Sequence, residues 1–247
     1  MPHITHCIFD MDGLLIDTER IYTEVTQEIL DKYVPGATFT WDIKSQMMGA
    51  NNDVASKILI DAFNLPLTSA EYLKLSAEIQ EDRFPDAQPL PGVMRLIAHL
   101  KRHKIPIAVA TSSTRAKFLL KSSKNADLFS LFDHIICGDD EGIRNGKPAP
   151  DLFLAARDRL GAPPAGNCLV FEDAINGVQA GLAAGMHVCW VPDPRMFELH
   201  GAGKDHGATL VLDSLEHFNP EQFALPALTV TAEGPQSETI GAADFEK

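Results

Sequence analysis

Short apolar runs recur along the chain and set its rhythm. Ile4 to Phe9, Ile105 to Ala110, His134 to Cys137, Cys168 to Phe171 and His187 to Val191 read as strands, with a weaker one over Thr209 to Leu212. Several are apolar almost without interruption, as expected for parallel strands covered on both faces. Between them, apolar positions at helical spacing predict helices over Gly92 to His103, Ala116 to Ser123, Asp151 to Leu160 and Ala174 to Ala184. Alternating strands and helices imply right-handed crossovers, and so an α/β fold built on a doubly wound parallel sheet.

The interval between the first two strands breaks this rhythm. Tyr22 to Tyr33, Asp53 to Phe63 and Ser69 to Phe84 are amphipathic, the last with Ser69 as its expected cap, and no strand pattern accompanies them. About seventy residues is too long for a βα connection, so an inserted helical domain is expected. The expected division is a core of residues 1–16 and 89–226, an insert over 17–88 and a mobile tail over 227–247. Hinges are expected near Ile16-Asp17 and Leu90-Pro91-Gly92.

Composition narrows the class. In 247 residues, 34 Asp and Glu stand against 21 Lys and Arg, a net charge of -13 that disfavours nucleic acid and anionic lipid as partners. An anionic substrate would need local cations. No apolar run approaches the length of a membrane helix, and the N-terminus enters a strand without a basic stretch, so neither membrane nor signal peptide is expected. Cys7, Cys137, Cys168 and Cys189 lie in or beside apolar runs without metal-like spacing. They read as buried thiols of a reducing compartment, the cytoplasm by default. A monomer is expected.

In a parallel sheet, ligands bind beyond the carboxyl ends of the strands. Asp10-Met11-Asp12-Gly13 follows the first strand, Thr111-Ser112-Ser113 the second, Gly146-Lys147-Pro148 the third and Glu172-Asp173 the fourth. Asp10 and Asp12 at i and i+2 on extended backbone project the same way, about 7 Å apart. One carboxylate could stay ionised as nucleophile while the other holds a proton for a leaving group. Asp173 with Glu172 adds charge for a hard cation, and an oxygen-only set suits Mg²⁺ shared with a substrate phosphate. Thr111 and the amides after it, at an expected helix start, make an anion site. Lys147 is the local cation.

These four segments, in this order, resemble the motifs of the haloacid dehalogenase-like hydrolases. The first is Ile8 to Glu19, the second Val109 to Ser113, the third Gly146 to Asp151 and the fourth Phe171 to Gly177. The resemblance runs to about Pro226. It implies a Rossmann-like core with an inserted helical cap, and a phosphatase of small phosphorylated metabolites. Asp10 would attack phosphorus and form an aspartyl-phosphate. Asp12 would protonate the departing alcohol and then activate water, while Thr111, Ser112 and Lys147 would bind phosphate. Mg²⁺ would be held by Asp10, the backbone carbonyl of Asp12 and Asp173, with Glu172 acting through water. Cap candidates for specificity are Glu19, Tyr22, Met48, Gly49, Asn51 and Asn52.

Departures from other branches narrow the reaction. Dehalogenases of this type lack the second aspartate, which is present here as Asp12. A phosphonate hydrolase needs a cap lysine, and Lys44, Lys57 and Lys74 each read as surface residues. Sugar-phosphate mutases carry a basic residue in the cap loop, whereas Met47 to Asn52 holds neither Arg nor Lys. Tyr22 stands where those mutases place a histidine. Hydrolysis by water is therefore expected. Trp41 to Ser45, Met48-Gly49 and Gly138-Asp139-Asp140 resemble the branch acting on sugar and nucleotide monophosphates. His99 and His103 share a helix face but lack a third ligand, so they read as solvated rather than zinc-binding. Gly142 to Lys147 is too short for a nucleotide P-loop and has Pro148 where Ser or Thr is needed. A non-catalytic protein on this fold would lack a nucleophile or metal ligand, and none is missing.

Overall fold

The computed structural model of the chain describes residues 2–47, 52–198 and 204–228. Six parallel strands form one sheet: β1 (His6–Phe9), β2 (Ile107–Ala110), β3 (His134–Ile136), β4 (Cys168–Glu172), β5 (His187–Trp190) and β6 (Leu210–Val211). Their order is β3-β2-β1-β4-β5-β6, so the winding reverses between β1 and β4. Cys7 and Phe9 point into one apolar cluster and Ile8 into another, and β2 and β4 divide in the same way. Burial on both faces is why these strands read as continuous apolar runs.

Helices α1 (Thr18–Tyr33), α2 (Trp41–Met47), α3 (Asn52–Phe63) and α4 (Ser69–Arg83) stand between β1 and the rest. On α1, Ile21, Val25 and Ile29 recur every four residues and face inward. The cap of α4 is Thr68, not Ser69: its hydroxyl accepts from the Glu71 amide while Glu71 reaches back to the Thr68 amide. The chain enters and leaves this segment through adjacent passages. The Asp17 amide donates to the Gln88 carbonyl at 2.9 Å and Leu90 to Leu15 at 3.1 Å.

The remaining helices cover the two faces: α5 (Val93–Arg102), α6 (Arg115–Ser122) and α7 (Ala126–Phe129) on one, α8 (Asp151–Arg159) and α9 (Ile175–Ala183) on the other. His99 on α5, expected in solvent, is instead buried, with Nε2 2.9 Å from the Pro226 carbonyl. The four cysteines are buried and unpaired. Among the described residues no helix is long and apolar enough to cross a membrane. The expected tail lies, beyond Leu228, outside the described residues.

Candidate active site

The tips of β1 and β4 meet at the reversal of strand order, where an open sheet offers a crevice. Asp10, Glu172 and Asp173 gather there, each with a carboxylate oxygen within 4.8 Å of the others. Lys147, from the loop before α8, places Nζ 2.5 Å from Asp10 Oδ1 and 2.5 Å from Glu172 Oε1. Three carboxylates thus face one ammonium in a buried setting, an imbalance that a divalent cation would correct. The donors are all oxygen, so the set fits Mg²⁺.

Two glycines make the gathering possible. Gly13 has φ +81°, and a Cβ there would lie 2.4 Å from Asp173 Oδ2. Gly177 lets α9 pass over Glu172, since a Cβ would lie 1.7 Å from Oε1. Gly177→Ala must therefore displace the carboxylate that holds Lys147 and the Ala174 amide. The variant should lose about 1–3 kcal/mol in urea unfolding. Any Mg²⁺ affinity of this cluster should weaken about 10-fold or more in a metal titration. Wild-type values for both would show that Glu172 can move freely.

Asp12 occupies a separate environment. Its Oδ1 accepts from Lys121 Nζ at 2.6 Å, and its Oδ2 accepts from Ser113 Oγ at 3.0 Å and Thr111 Oγ1 at 3.5 Å. Sequence reasoning missed Lys121, which is 1% exposed, and gave Ser113 no role. Ser112, the expected phosphate ligand, lies exposed on the rim. The helix begins at Arg115 behind a Thr114 cap, one residue before the expected Ala116 but four after Thr111, so Thr111 does not itself stand at the helix start. Thr111 itself is fully buried and accepts from the Ser113 amide at 3.0 Å.

The two aspartates differ electrostatically, in the sense opposite to the simple division of labour. Burial raises the Asp10 carboxyl to about 7, with Glu172 and Asp12 adding to it against the pull of Lys147. Burial pushes Asp173 upward too, with Glu172, Asp10 and Glu19 adding to it against Lys147. Burial alone would also raise Asp12, but Lys121 and its hydrogen bonds hold it below the ordinary range.

Side chains of α1 and α2 reach residues of the core beside this rim. Tyr22 Oη lies 3.3 Å from Lys121 Nζ, and Arg195 stacks on Trp41 at 4.3 Å. Glu19 borders the crevice beside Gly13 and also a second cavity, of about 300 Å³, among these helices. Lys44, expected at the surface, is buried there: Nζ bonds Glu19 Oε2 at 2.9 Å and Thr23 Oγ1 at 2.9 Å. Its partners come from α1, which explains why a charged residue is accommodated inside. Met48, Gly49 and Asn51 lie outside the described residues, and Asn52 opens α3 with its side chain outside them.

Residues 4–185 match the family model described as haloacid dehalogenase-like hydrolase. The chain belongs to the haloacid dehalogenase-like hydrolases. A Drosophila melanogaster protein named "Probable pseudouridine-5'-phosphatase" is 46% identical over 228 residues, covering 92% of this chain and 96% of that one. The Arabidopsis thaliana "(DL)-glycerol-3-phosphatase 1, mitochondrial" is 42% identical, covering 91% of this chain and 74% of its own. The crystal structure of a family hydrolase from Deinococcus radiodurans R1, with bound phosphate and sodium, shares 25% identity at a TM-score of 0.73, covering 90% and 96% of the two chains. This hydrolase is an enzyme of the phosphomonoester-hydrolase class.

Proposed function

We propose that this hydrolase is a Mg²⁺-dependent phosphatase of small phosphorylated metabolites, with pseudouridine 5'-phosphate as substrate. The observation that carries the chemistry is the pairing of two neighbouring aspartates with two different lysines, Asp10 with Lys147 and Asp12 with Lys121. A carboxylate oxygen of Asp10 forms a bond to phosphorus as the bond to the alcohol oxygen breaks; Asp12, ionised beside Lys121 in the free protein, first takes the proton of the phosphomonoester monoanion and gives it to that oxygen. Water then attacks the aspartyl-phosphate, Asp12 takes the proton, and inorganic phosphate leaves with Asp10 restored. Thr111 and Lys147 donate to the phosphoryl oxygens. Ser112 on the exposed rim is proposed as a further donor. Asp10, Asp173 and the Asp12 carbonyl are the proposed ligands of Mg²⁺, with Glu172 acting through water. The metal, when bound, adds positive charge beside the phosphoryl oxygens and favours the ionised form of Asp10.

The helices of residues 17–88 act in this reading as a cap over the core of 1–16 and 89–226. Their cavity of about 300 Å³ carries Tyr22, Tyr72 and several hydroxyls. Three aromatic rings, Phe39 being the third, and that volume suit a nucleoside better than glycerol. The buried free thiols fit the cytoplasm as the proposed compartment. The test ranks kcat/KM for pseudouridine 5'-phosphate, glycerol 3-phosphate and 2-deoxysugar phosphates. Pseudouridine 5'-phosphate should lead, and a leading glycerol 3-phosphate would move the assignment.

The metal reading has its own signature in stability. Asp10 titrates near 7 in the folded, metal-free chain and near 4 unfolded, so the folded state holds its proton more tightly. That contribution to stability is fully present below pH about 4 and is lost as pH rises through about 7. Mg²⁺ competes with the proton for the same oxygen, so its stabilisation should grow with pH. Thermal midpoints with and without Mg²⁺ should differ more at pH 8 than at pH 5.5. Equal increments would remove Asp10 from the ligand set.

A further inference from the structure

Lys121 is a buried ammonium to which the steps proposed above assign neither a bond to phosphate nor a proton. It stands on α6, where Ala116, Lys117 and Leu119 are exposed and Phe118 and Lys121 turn inward. An ammonium in such a stripe is costly unless every proton finds a partner. Here the partners come from two parts of the fold. On the core side are Asp12 Oδ1 at 2.6 Å and Ser113 Oγ at 3.0 Å. On the other side, Tyr22 Oη of α1 lies at 3.3 Å and the Phe84 ring centroid at 4.6 Å, with the Tyr22 and Phe84 rings edge to face at 5.4 Å. Phe84 follows α4 directly, where the helical segment returns to the core. One ammonium therefore joins the carboxylate of Asp12 to both ends of the helical segment.

We propose that Lys121 is a positioning residue for Asp12, and that Tyr22 couples this positioning to the seating of the cap. With the cap seated, Tyr22 and Phe84 fix Lys121, and Lys121 with Ser113 fixes the side chain that exchanges a proton with the leaving group. With the cap displaced, Lys121 loses its phenol and ring contacts and Asp12 is held less firmly. Closure over a substrate and readiness of the proton donor then become one event. This inference rests on the reading of Asp12 as general acid.

The experiment compares an alkyl ester, glycerol 3-phosphate, with p-nitrophenyl phosphate, whose leaving group needs little protonation. Lys121→Met keeps the length of the stem and removes the charge. It should lower kcat for the alkyl ester on the order of 100-fold, with KM and the aryl ester changed only a few-fold, because the loss passes through general acid catalysis. In an Asp12→Asn background the same change should cost nothing further, since residues acting as a unit are not additive. Tyr22→Phe keeps the ring and removes only the hydroxyl. It should slow the alkyl ester selectively by about 5-fold or more, and it decides the matter if Lys121→Met fails to fold. Equal losses on both esters, or Lys121 and Asp12 effects that multiply, would overturn the proposal. If Asp12→Asn itself spared the alkyl ester, the general-acid reading would fail. If Asp12→Asn were slow while Lys121→Met and Tyr22→Phe were not, only the present proposal would fail.

Discussion

Asp10→Asn should abolish turnover, by more than about 10⁴-fold, while leaving the fold intact. The amide is nearly isosteric with the carboxylate but cannot form the bond to phosphorus. Its oxygen still accepts from Lys147, so the loop before α8 keeps its anchor. Stability should not fall in the metal-free protein. Asp10 is one of three carboxylates facing a single ammonium, and replacing it relieves repulsion on Glu172 and Asp173. The two readouts therefore move apart, with activity lost and the thermal midpoint retained or raised without Mg²⁺. Turnover above about 1% of wild type would remove Asp10 as the nucleophile, since no neighbouring group can supply a second route of that speed.

The aspartates and Thr111 of the candidate rim were legible because they stand at or just beyond the ends of β1, β2 and β4. Once Ile4 to Phe9 and Cys168 to Phe171 are read as parallel strands, Asp10 and Asp173 must lie on the same edge. Registers of Phe9 with Phe171 and of Phe9 with Val109 put the tips side by side. Most strand and helix bounds differ from expectation by a residue or two, but α1 begins at Thr18 rather than Tyr22, and the short helices α2 and α7 had no counterpart in the apolar pattern. The Thr68 cap was also readable, since Thr68 and Glu71 have capping-box spacing.

What escaped the reading were charged residues whose partners are remote in sequence. Lys121 meets Asp12 across 109 positions, and His99 meets the Pro226 carbonyl across 127. A lysine on an amphipathic helix reads as solvated, and only its place beside Phe118 on the inward stripe hinted otherwise. Lys44 gave less warning still, because α2 is short and its partners Glu19 and Thr23 belong to another helix. Periodicity reports which face is buried but not which cation has a carboxylate waiting there. The electrostatic split between Asp10 and Asp12 followed the same rule: it depends on which lysine each one meets, and one of those lysines was not foreseen.

Removing the ammonium of Lys147 should damage both activity and stability, unlike the change at Asp10. Lys147 is 8% exposed and lies between Asp10 and Glu172, the latter 1% exposed. Lys147→Met keeps a stem of similar length but removes the ammonium, which lies 4.8 Å from the Phe153 ring centroid, and leaves Asp10, Glu172 and the half-buried Asp173 without a counter-charge. Breaking a buried pair by deleting one partner costs about 3–5 kcal/mol, because the remaining charge stays desolvated. Protonation of Asp10 and Asp173 offsets part of this at low pH, so the loss in urea unfolding should be larger at pH 8 than at pH 5.5. Mg²⁺ should return part of the stability by supplying positive charge to the same oxygens. It should not return activity, because the phosphoryl group still lacks the Lys147 donor, and kcat should stay about 100-fold down or more at saturating metal. Lys147→Arg should not rescue it, since a planar guanidinium cannot replace a compact ammonium 2.5 Å from two separate carboxylates. Wild-type stability of Lys147→Met in metal-free buffer at pH 8 would mean that the carboxylates find their balance elsewhere, and that Lys147 is not what holds the cluster together.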